Sequence, residues 1–446
     1  MAGVETLLGR VSDVVWGLPL LALLFGTHLF LTVRLRFIQR YLPTAIRLSF
    51  SRRREGAGDI SHFGALTTAL AATIGTGNIV GVATAVAAGG PGAVLWIWLT
   101  GVFGNSTKYA EAVLSVKYRT TTPLGLIAGG PMYVLERGMK SRWLGIVFAA
   151  LTAVAAFGIG CMVQANSISA LVQETFHVSP WATGLVMTAL TGIVILGGIK
   201  SIASVCERLV PFMAGFYVLG CAVLLIANAR QVPHAVSLIV SGAFTGQAAI
   251  GGFLGAGVRE AIRYGIARGL FSNESGLGSA PIVAAAAQTK NPVRQALVSS
   301  TGTFWDTVVV CAMTGIVLVT SGEWTRGLSG AALTKASFDD LPLIGPIVLT
   351  VGLLTFVFST ILGWSYYGEK AAEYLFGPRV VRPYRVLWVA AVMVGSVVTL
   401  QAVWSFADIA NGLMAVPNLI SLIALSGVTV AETRRFLWSG NLDAEG

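Results

Sequence analysis

Residues Ala71 to Gly92 read AATIGTGNIVGVATAVAAGGPG, and the fold turns on this stretch. It is apolar enough to cross a bilayer, yet Gly75 and Gly77 interrupt it beside Asn78, its one amide side chain. A membrane helix keeps its backbone N–H and C=O groups paired within itself, because hydrocarbon offers no replacement partner and each orphan costs several kcal/mol. A break here implies that something else occupies the freed backbone. Transporter sites at mid-membrane are built this way: unwound carbonyls hold a cation, and the N-terminus of the following half-helix holds a carboxylate. The competing explanation is close helix packing through small residues, since Gly77 and Gly81 have GxxxG spacing.

The rest of the chain agrees with a membrane setting. Of its 446 residues 55% are hydrophobic and only 11% are charged, whereas soluble domains carry about a quarter charged residues. The net charge of +10 does not point to nucleic acid, because the basic residues sit between apolar spans rather than on one amphipathic face. Cys161, Cys206, Cys221 and Cys311 fall in or near apolar segments without CxxC spacing, which predicts free core thiols rather than disulfides or a metal site. The apolar run from Val14 to Val33 ends in arginines and reads as a retained helix rather than a cleaved signal.

A crossing needs about 20 predominantly apolar residues. Such runs occur at 14–34, 62–88, 92–115, 143–171, 181–199, 208–228, within 236–290, and at 295–320, 342–370, 386–404 and 411–431. An all-α polytopic membrane protein with about eleven transmembrane helices is expected. Arg34, Arg36, Arg40, Arg47, Arg52, Arg53 and Arg54 crowd the first loop, which places it in the cytoplasm and the N-terminus outside. Counting onward, the loops carrying Lys117 with Arg119, Lys200 with Arg208, Lys290 with Arg294, and Arg379 with Arg382 all fall inside, and so does the C-terminus. The segment Thr120 to Lys140, which contains GGPMYVLERG, is too short and too mixed to span; it reads either as a cytoplasmic re-entrant or interfacial helix or as an ordinary amphipathic loop.

Region 236–290 holds a second interruption. FSNESGLGSAP, Phe271 to Pro281, is a poor continuous helix, because glycine costs about 1 kcal/mol and proline about 3 in a helix interior. A Gly-rich stretch, Thr245 to Gly257, precedes it, followed by a basic run with Arg259, Arg263 and Arg268. That run would suit an amphipathic helix on the outer surface, against the positive-inside tendency. Two interrupted spans at corresponding places in two halves suggest an inverted repeat. The division expected is an extra N-terminal helix with its basic loop (1–61), five-helix repeats at 62–235 and 236–433, and a cytoplasmic tail (434–446).

Candidate site residues follow from this layout. Gly75, Thr76, Gly77 and Asn78 offer free backbone and an amide. Gln164, in GCMVQANSIS, is either interhelical glue or a ligand contact. In FSTILGWSYYGEK, Ser359 and Thr360 would add oxygens to a cation cage and Trp364 would wall the pocket, or all three merely pack. Lys108 and Glu111, three apart, read as a structural pair; Asp306 has no evident partner.

Together GTGNIVG, AAGGPGAVLWIW, GGPMYVLERG and RGLFSNESGLGSAP resemble the alanine or glycine:cation symporter family over essentially the whole chain. The resemblance implies a five-plus-five LeuT-type inverted repeat with an additional N-terminal helix, in the cell (inner) membrane. It implies uptake of alanine or glycine coupled to sodium, with the sodium ion co-transported and no organic cofactor. Carried onto this sequence, it sets Gly75, Thr76, Gly77, Asn78, Gln164 and Trp364 around the amino acid, with a further contribution from Ser272 and Asn273. The carbonyls of Ala71 and Ile74 would face the hydroxyls of Ser359 and Thr360 at one sodium, and Thr73 with Asn78 could serve a second. The first broken helix holds no carboxylate, so the substrate ammonium needs carbonyls, amides or a group from elsewhere. A proton-coupled or differently specific small amino acid carrier of the same fold is the nearest rival. An enzyme is disfavoured because His28, His62, His177 and His234 are scattered, and a channel because no filter motif repeats.

Overall fold

A computed structural model of the chain describes residues 2–50, 56–245, 257–398 and 401–445. Among them, seven helices are long and apolar enough to cross a membrane: Leu7–Arg34, Arg142–Phe176, Gly198–Ala227, Pro292–Ser321, Ile344–Phe376, Pro378–Val397 and Phe406–Ala424. An eighth is the pair His62–Thr73 and Gly77–Gly89, bent by 54° at its junction. Ala93–Lys117 is long enough, but its second half carries Asn105, Ser106, Thr107, Lys108 and Glu111, all buried. Pro180–Ile195 and Val232–Thr245 are apolar but shorter. Arg52, Arg53 and Arg54, most of the Gly-rich stretch Thr245 to Gly257, and residues 399 and 400 of the span expected at 386–404 lie outside the described residues.

The first break needs no proline. Ile74 is extended, and Gly75 N–H donates to Asn78 Oδ1 at 2.8 Å, so the amide side chain replaces the missing helical acceptor. Gly77–Gly81 then winds as a π-turn before Val82–Gly89 continues as α-helix. Widened turns of this kind are frequent at functional sites.

The second break is narrower than Phe271 to Pro281. Phe271, Ser272 and Asn273 complete the helix Val258–Asn273; Glu274 ends it in the left-handed conformation (φ 55°), and Pro281 opens a short turn to Ala284. Gly276 and Gly278, both at φ 88°, supply the left-handed backbone that the intervening loop requires. The basic run Arg259 to Arg268 is therefore not a separate surface helix but the body of this half-helix. It packs tightly: a Cβ at Gly269 would fall 2.1 Å from Thr100 Oγ1, and one at Gly265 would fall 2.6 Å from the Ala93 carbonyl oxygen. Small residues at this crossing let two backbones approach, as is usual where lipid supplies no hydrophobic drive for association.

The segment Thr120 to Lys140 is folded in part against the protein. After a two-residue hairpin, Thr120–Thr121 against Ile127–Ala128, it forms the turn Pro131–Tyr133, and Gly129 to Leu135 are buried. It lies against the end of the second broken helix, where Cβ atoms at Gly129 and Gly130 would meet Ala285 and Ile282. A strand-like strap runs alongside: Ala57 and Ile60 bridge to Thr289 and Ala287. Arg119 donates to the carbonyls of Ala285, Ala287 and Ala57, each at 2.9 Å. All four cysteines are free and buried.

The tight crossing gives a direct test. Gly265→Ala should lower folding stability by about 1–3 kcal/mol, the usual cost of overpacking a core, measured as a lower melting temperature of purified protein in detergent. Gly215→Ala, where nothing lies within 4 Å of the added methyl, should leave it unchanged.

Candidate substrate and cation site

Both breaks open onto one small enclosed cavity. The first broken span contributes Ala72, Thr73, Gly75, Thr76 and Gly77 to its wall, and the second contributes Phe271, Ser272 and Glu274. Ile159 and Gln164 face them from Arg142–Phe176, Thr360 and Trp364 from Ile344–Phe376, and Asn411 closes the ring. Of the residues expected around a substrate, Gly75, Thr76, Gly77, Gln164, Trp364 and Ser272 line this cavity. Asn78 and Asn273 do not.

Asn78 is wholly buried behind the wall. Its Oδ1 is taken by Gly75, and its Nδ2 donates to Asp306 Oδ1 at 2.7 Å and to the Asp306 carbonyl at 3.2 Å. It staples the break instead of facing the cavity. Asp306 is far from partnerless: Ser272 Oγ and Thr307 Oγ1 also donate to it, at 3.0 and 2.7 Å. Asn273 caps the loop that follows it, its Oδ1 accepting from Ser275 N–H at 3.0 Å.

Lys108 and Glu111 do not pair with each other. Lys108 Nζ donates to the Asn273 carbonyl at 2.6 Å, at the C-terminal end of the half-helix, where exposed carbonyls attract a cation. Glu111 Oε1 accepts from Gly276 N–H at 3.1 Å and from Asn418 Nδ2 at 2.7 Å. The i, i+3 spacing that suggested a pair instead puts both side chains on the face that meets the second break.

Ile159, Phe271, Glu274 and Asn411 also line the cavity, though none is among the candidate site residues expected from the sequence. Glu274 is buried, with Oε1 accepting from Trp364 Nε1 at 3.0 Å and Oε2 from Ser279 Oγ. Asn411 is buried with its Oδ1 unpartnered among the described residues. Phe271 forms part of the rim. Glu274 carried a readable signal, a carboxylate inside the interrupted apolar segment FSNES; Asn411 carried none. Gln164 shares Asn411's condition. Its Nε2 donates to the Ile159 carbonyl at 3.0 Å, freed by the π-turns of Ala156–Met162, and its Oε1 has no partner. The cavity thus collects three acceptors, Glu274, Gln164 and Asn411, opposite the unwound backbone at Gly75 to Gly77.

Beside it lies a set of uncharged oxygens. Ser359 Oγ is 3.1 Å from the Ala71 carbonyl, and Thr360 Oγ1 is 3.5 Å from that of Ile74. All four residues are buried. Hard oxygens of this kind suit a small hard cation; both hydroxyls also donate to the Phe356 carbonyl, at 2.8 and 2.9 Å. Thr73 Oγ1 makes only a long 3.4 Å contact to its own helix.

A helical membrane bundle in which two interrupted helices enclose a cavity with an adjoining oxygen cage defines a secondary transporter of LeuT type. The chain superposes on the crystal structure of MhsT in complex with L-phenylalanine with a TM-score of 0.55 at 13% identity, covering 85% of this chain and 98% of that one. It is 52% identical to the sodium/alanine symporter AgcS of Methanococcus maripaludis, over 97% of each chain. It is 53% identical to an uncharacterized transporter of Haemophilus influenzae, over 97% of this chain and 96% of the other. Residues 1–444 match the sodium:alanine symporter family, and the chain belongs to that family: it is a multi-pass, sodium-coupled transporter and not an enzyme.

Trp364 depends on Gly160, where a Cβ would fall 2.3 Å from Trp364 Cβ. Gly160→Ala should displace the indole from Glu274 and reduce alanine uptake by about tenfold or more, as misplacements of this size do in preorganised sites. Radiolabelled uptake normalised to folded protein checks this.

Proposed function

We propose that this chain imports alanine and glycine with sodium by alternating access in the cell (inner) membrane. The observation that carries the reading is the polarity of the cavity. A zwitterionic amino acid needs donors for its carboxylate and acceptors for its ammonium. The first N–H groups of a helix have no intrahelical partner; with Gly75 N–H taken by Asn78, those of Thr76 and Gly77 are the donors at the start of the second half of the first broken span. Glu274, with Gln164 Oε1 and Asn411 Oδ1, offers the ammonium the acceptors that the first broken helix lacks. Thr76, Ile159 and Trp364 leave space for little more than a methyl side chain or none, which favours alanine and glycine.

The cation is assigned to the Ala71, Ile74, Ser359 and Thr360 oxygens. Because Ile74 precedes Gly75 directly, sodium bound there fixes the backbone that the substrate carboxylate meets. Each ligand then stabilises the conformation the other requires, which is a coupling free energy between sites. Asp306 and Ser272, with Thr73 and the stapling Asn78, are the place for a second sodium. The membrane potential adds about 2.3 kcal/mol per charge per 100 mV to inward movement.

The same reading takes eleven crossings with the N-terminus outside and the C-terminus cytoplasmic, in repeats at 62–235 and 236–433. Support comes from the matched breaks, one in each half, and from the symporter named among the 52% identical relatives.

Reconstituted vesicles should accumulate alanine under an imposed inward sodium gradient and fail to do so without sodium; accumulation in sodium-free buffer would instead favour proton coupling. Thr360→Val, which keeps shape and removes one oxygen, should raise the sodium concentration for half-maximal uptake about tenfold or more while alanine still binds at saturating sodium. Glu274→Gln should weaken alanine binding about 10- to 100-fold, the worth of one hydrogen bond to a charged group. Unchanged alanine affinity in that variant would remove Glu274 from the ammonium site.

A further inference from the structure

Glu274, the carboxylate assigned above to the substrate ammonium, stands in a backbone conformation that only glycine adopts freely. It ends the helix Val258–Asn273 at φ 55°, where a side chain crowds the following carbonyl. A non-glycine residue stays there when its surroundings impose it, and such residues collect at functional sites. The surroundings here are one neighbouring helix, Ala93–Lys117. Lys108 Nζ donates at 2.6 Å to the carbonyl of Asn273, the residue before Glu274, and Glu111 Oε1 accepts at 3.1 Å from the N–H of Gly276, two residues after it. Thr100, two turns earlier on that helix, takes the Asn273 side chain, its Oγ1 accepting from Nδ2 at 3.3 Å.

Lys108 is the costly member of this clamp. It is buried, and it forms no ion pair among the described residues; its hydrogen bond goes to a peptide oxygen. An ammonium inside a membrane protein is expensive to keep and marks a functional role. A helix C-terminus attracts a cation to any of its last four carbonyls. Lys108 takes the one whose peptide unit continues into Glu274. That unit is planar, so holding its oxygen fixes the plane from which the Glu274 side chain projects. The far end of the side chain is held separately, by Trp364 Nε1 and Ser279 Oγ. Lys108 itself is absent from the cavity wall.

We propose that Lys108 is a positioning residue for substrate binding: through the Asn273–Glu274 peptide it aims the Glu274 carboxylate at the ammonium of the amino acid, without touching the substrate. This rests on the function proposed above. Lys108 then matters to alanine affinity only while position 274 carries a carboxylate, whereas a residue that merely holds the fold would matter equally with or without it.

The test is a double-mutant cycle on sodium-dependent binding of radiolabelled alanine, measured on the folded, monodisperse fraction of the purified full-length protein. Lys108→Met should raise the alanine Kd about tenfold or more in the wild-type background, as small misplacements do in preorganised sites. In the Glu274→Gln background the same substitution should raise it less than about twofold, because residues that act as one unit are not additive. Lys108→Gln, a milder change to the buried position, should show the same dependence on Glu274 and decides the matter if Lys108→Met does not fold. Unchanged affinity in the wild-type background, or equal weakening in both backgrounds, would overturn the positioning role alone. Failure of both variants to fold would also overturn it, by assigning Lys108 to the fold. Unchanged affinity in Glu274→Gln by itself would overturn the ammonium site proposed above, and this inference with it.

Discussion

Unwound backbone inside a membrane has to find partners that lipid cannot supply, and a set of buried polar side chains in this chain is spent on that requirement. Asn78 takes the N–H of Gly75, Lys108 takes the carbonyl of Asn273, and Glu111 takes the N–H of Gly276. Asn418 takes the carbonyl of that same glycine at 2.9 Å, and Arg119 satisfies Ala285 and Ala287 beyond the second break. Apart from Asn78, which sits in the first break itself, these residues come from segments remote in sequence from the break they serve. Among the buried side-chain atoms left without a partner in the described residues, Gln164 Oε1 and Asn411 Oδ1 belong to residues that line the cavity.

The same requirement explains the charge distribution. Lys108, Glu111, Glu274 and Asp306 are all buried, and each is anchored by hydrogen bonds to backbone, amide, hydroxyl or indole groups rather than by a direct ion pair with another of the four. Removing one partner of such a cluster leaves an uncompensated buried charge, which is more costly than losing the contact itself.

The two breaks were legible in the sequence because glycine and proline carry local conformational cost, which needs no knowledge of tertiary structure. So were the hydroxyls of Ser359 and Thr360, though only the resemblance to a family directed them at Ala71 and Ile74. Other features were not local. An asparagine beside two glycines reads equally well as ligand or staple; only the position of Asp306, more than two hundred residues away, makes Asn78 a staple. Lys108 and Glu111 satisfied a rule for isolated helices, and tertiary packing overrode it. The start of the second break was placed three residues early because serine and asparagine disfavour helix on average, while Ser272 and Asn273 are held helical by contacts with Asp306 and Thr100.

The strap of residues 57–60 has a mechanical meaning. It immediately precedes the first broken span, and it is bound to the chain that immediately follows the second. Asp59 N–H donates to the Ala286 carbonyl at 2.7 Å and Gln288 N–H to the Ile60 carbonyl at 2.8 Å, with Arg119 pinning both strands. Entry to one discontinuous helix and exit from the other are thereby tied into a single closed circuit of backbone. Neither can tilt away from the other without breaking several bonds worth about 1 kcal/mol each. The two halves of the binding site are harnessed to travel as one body, and any opening of the cavity has to come from the helices around them.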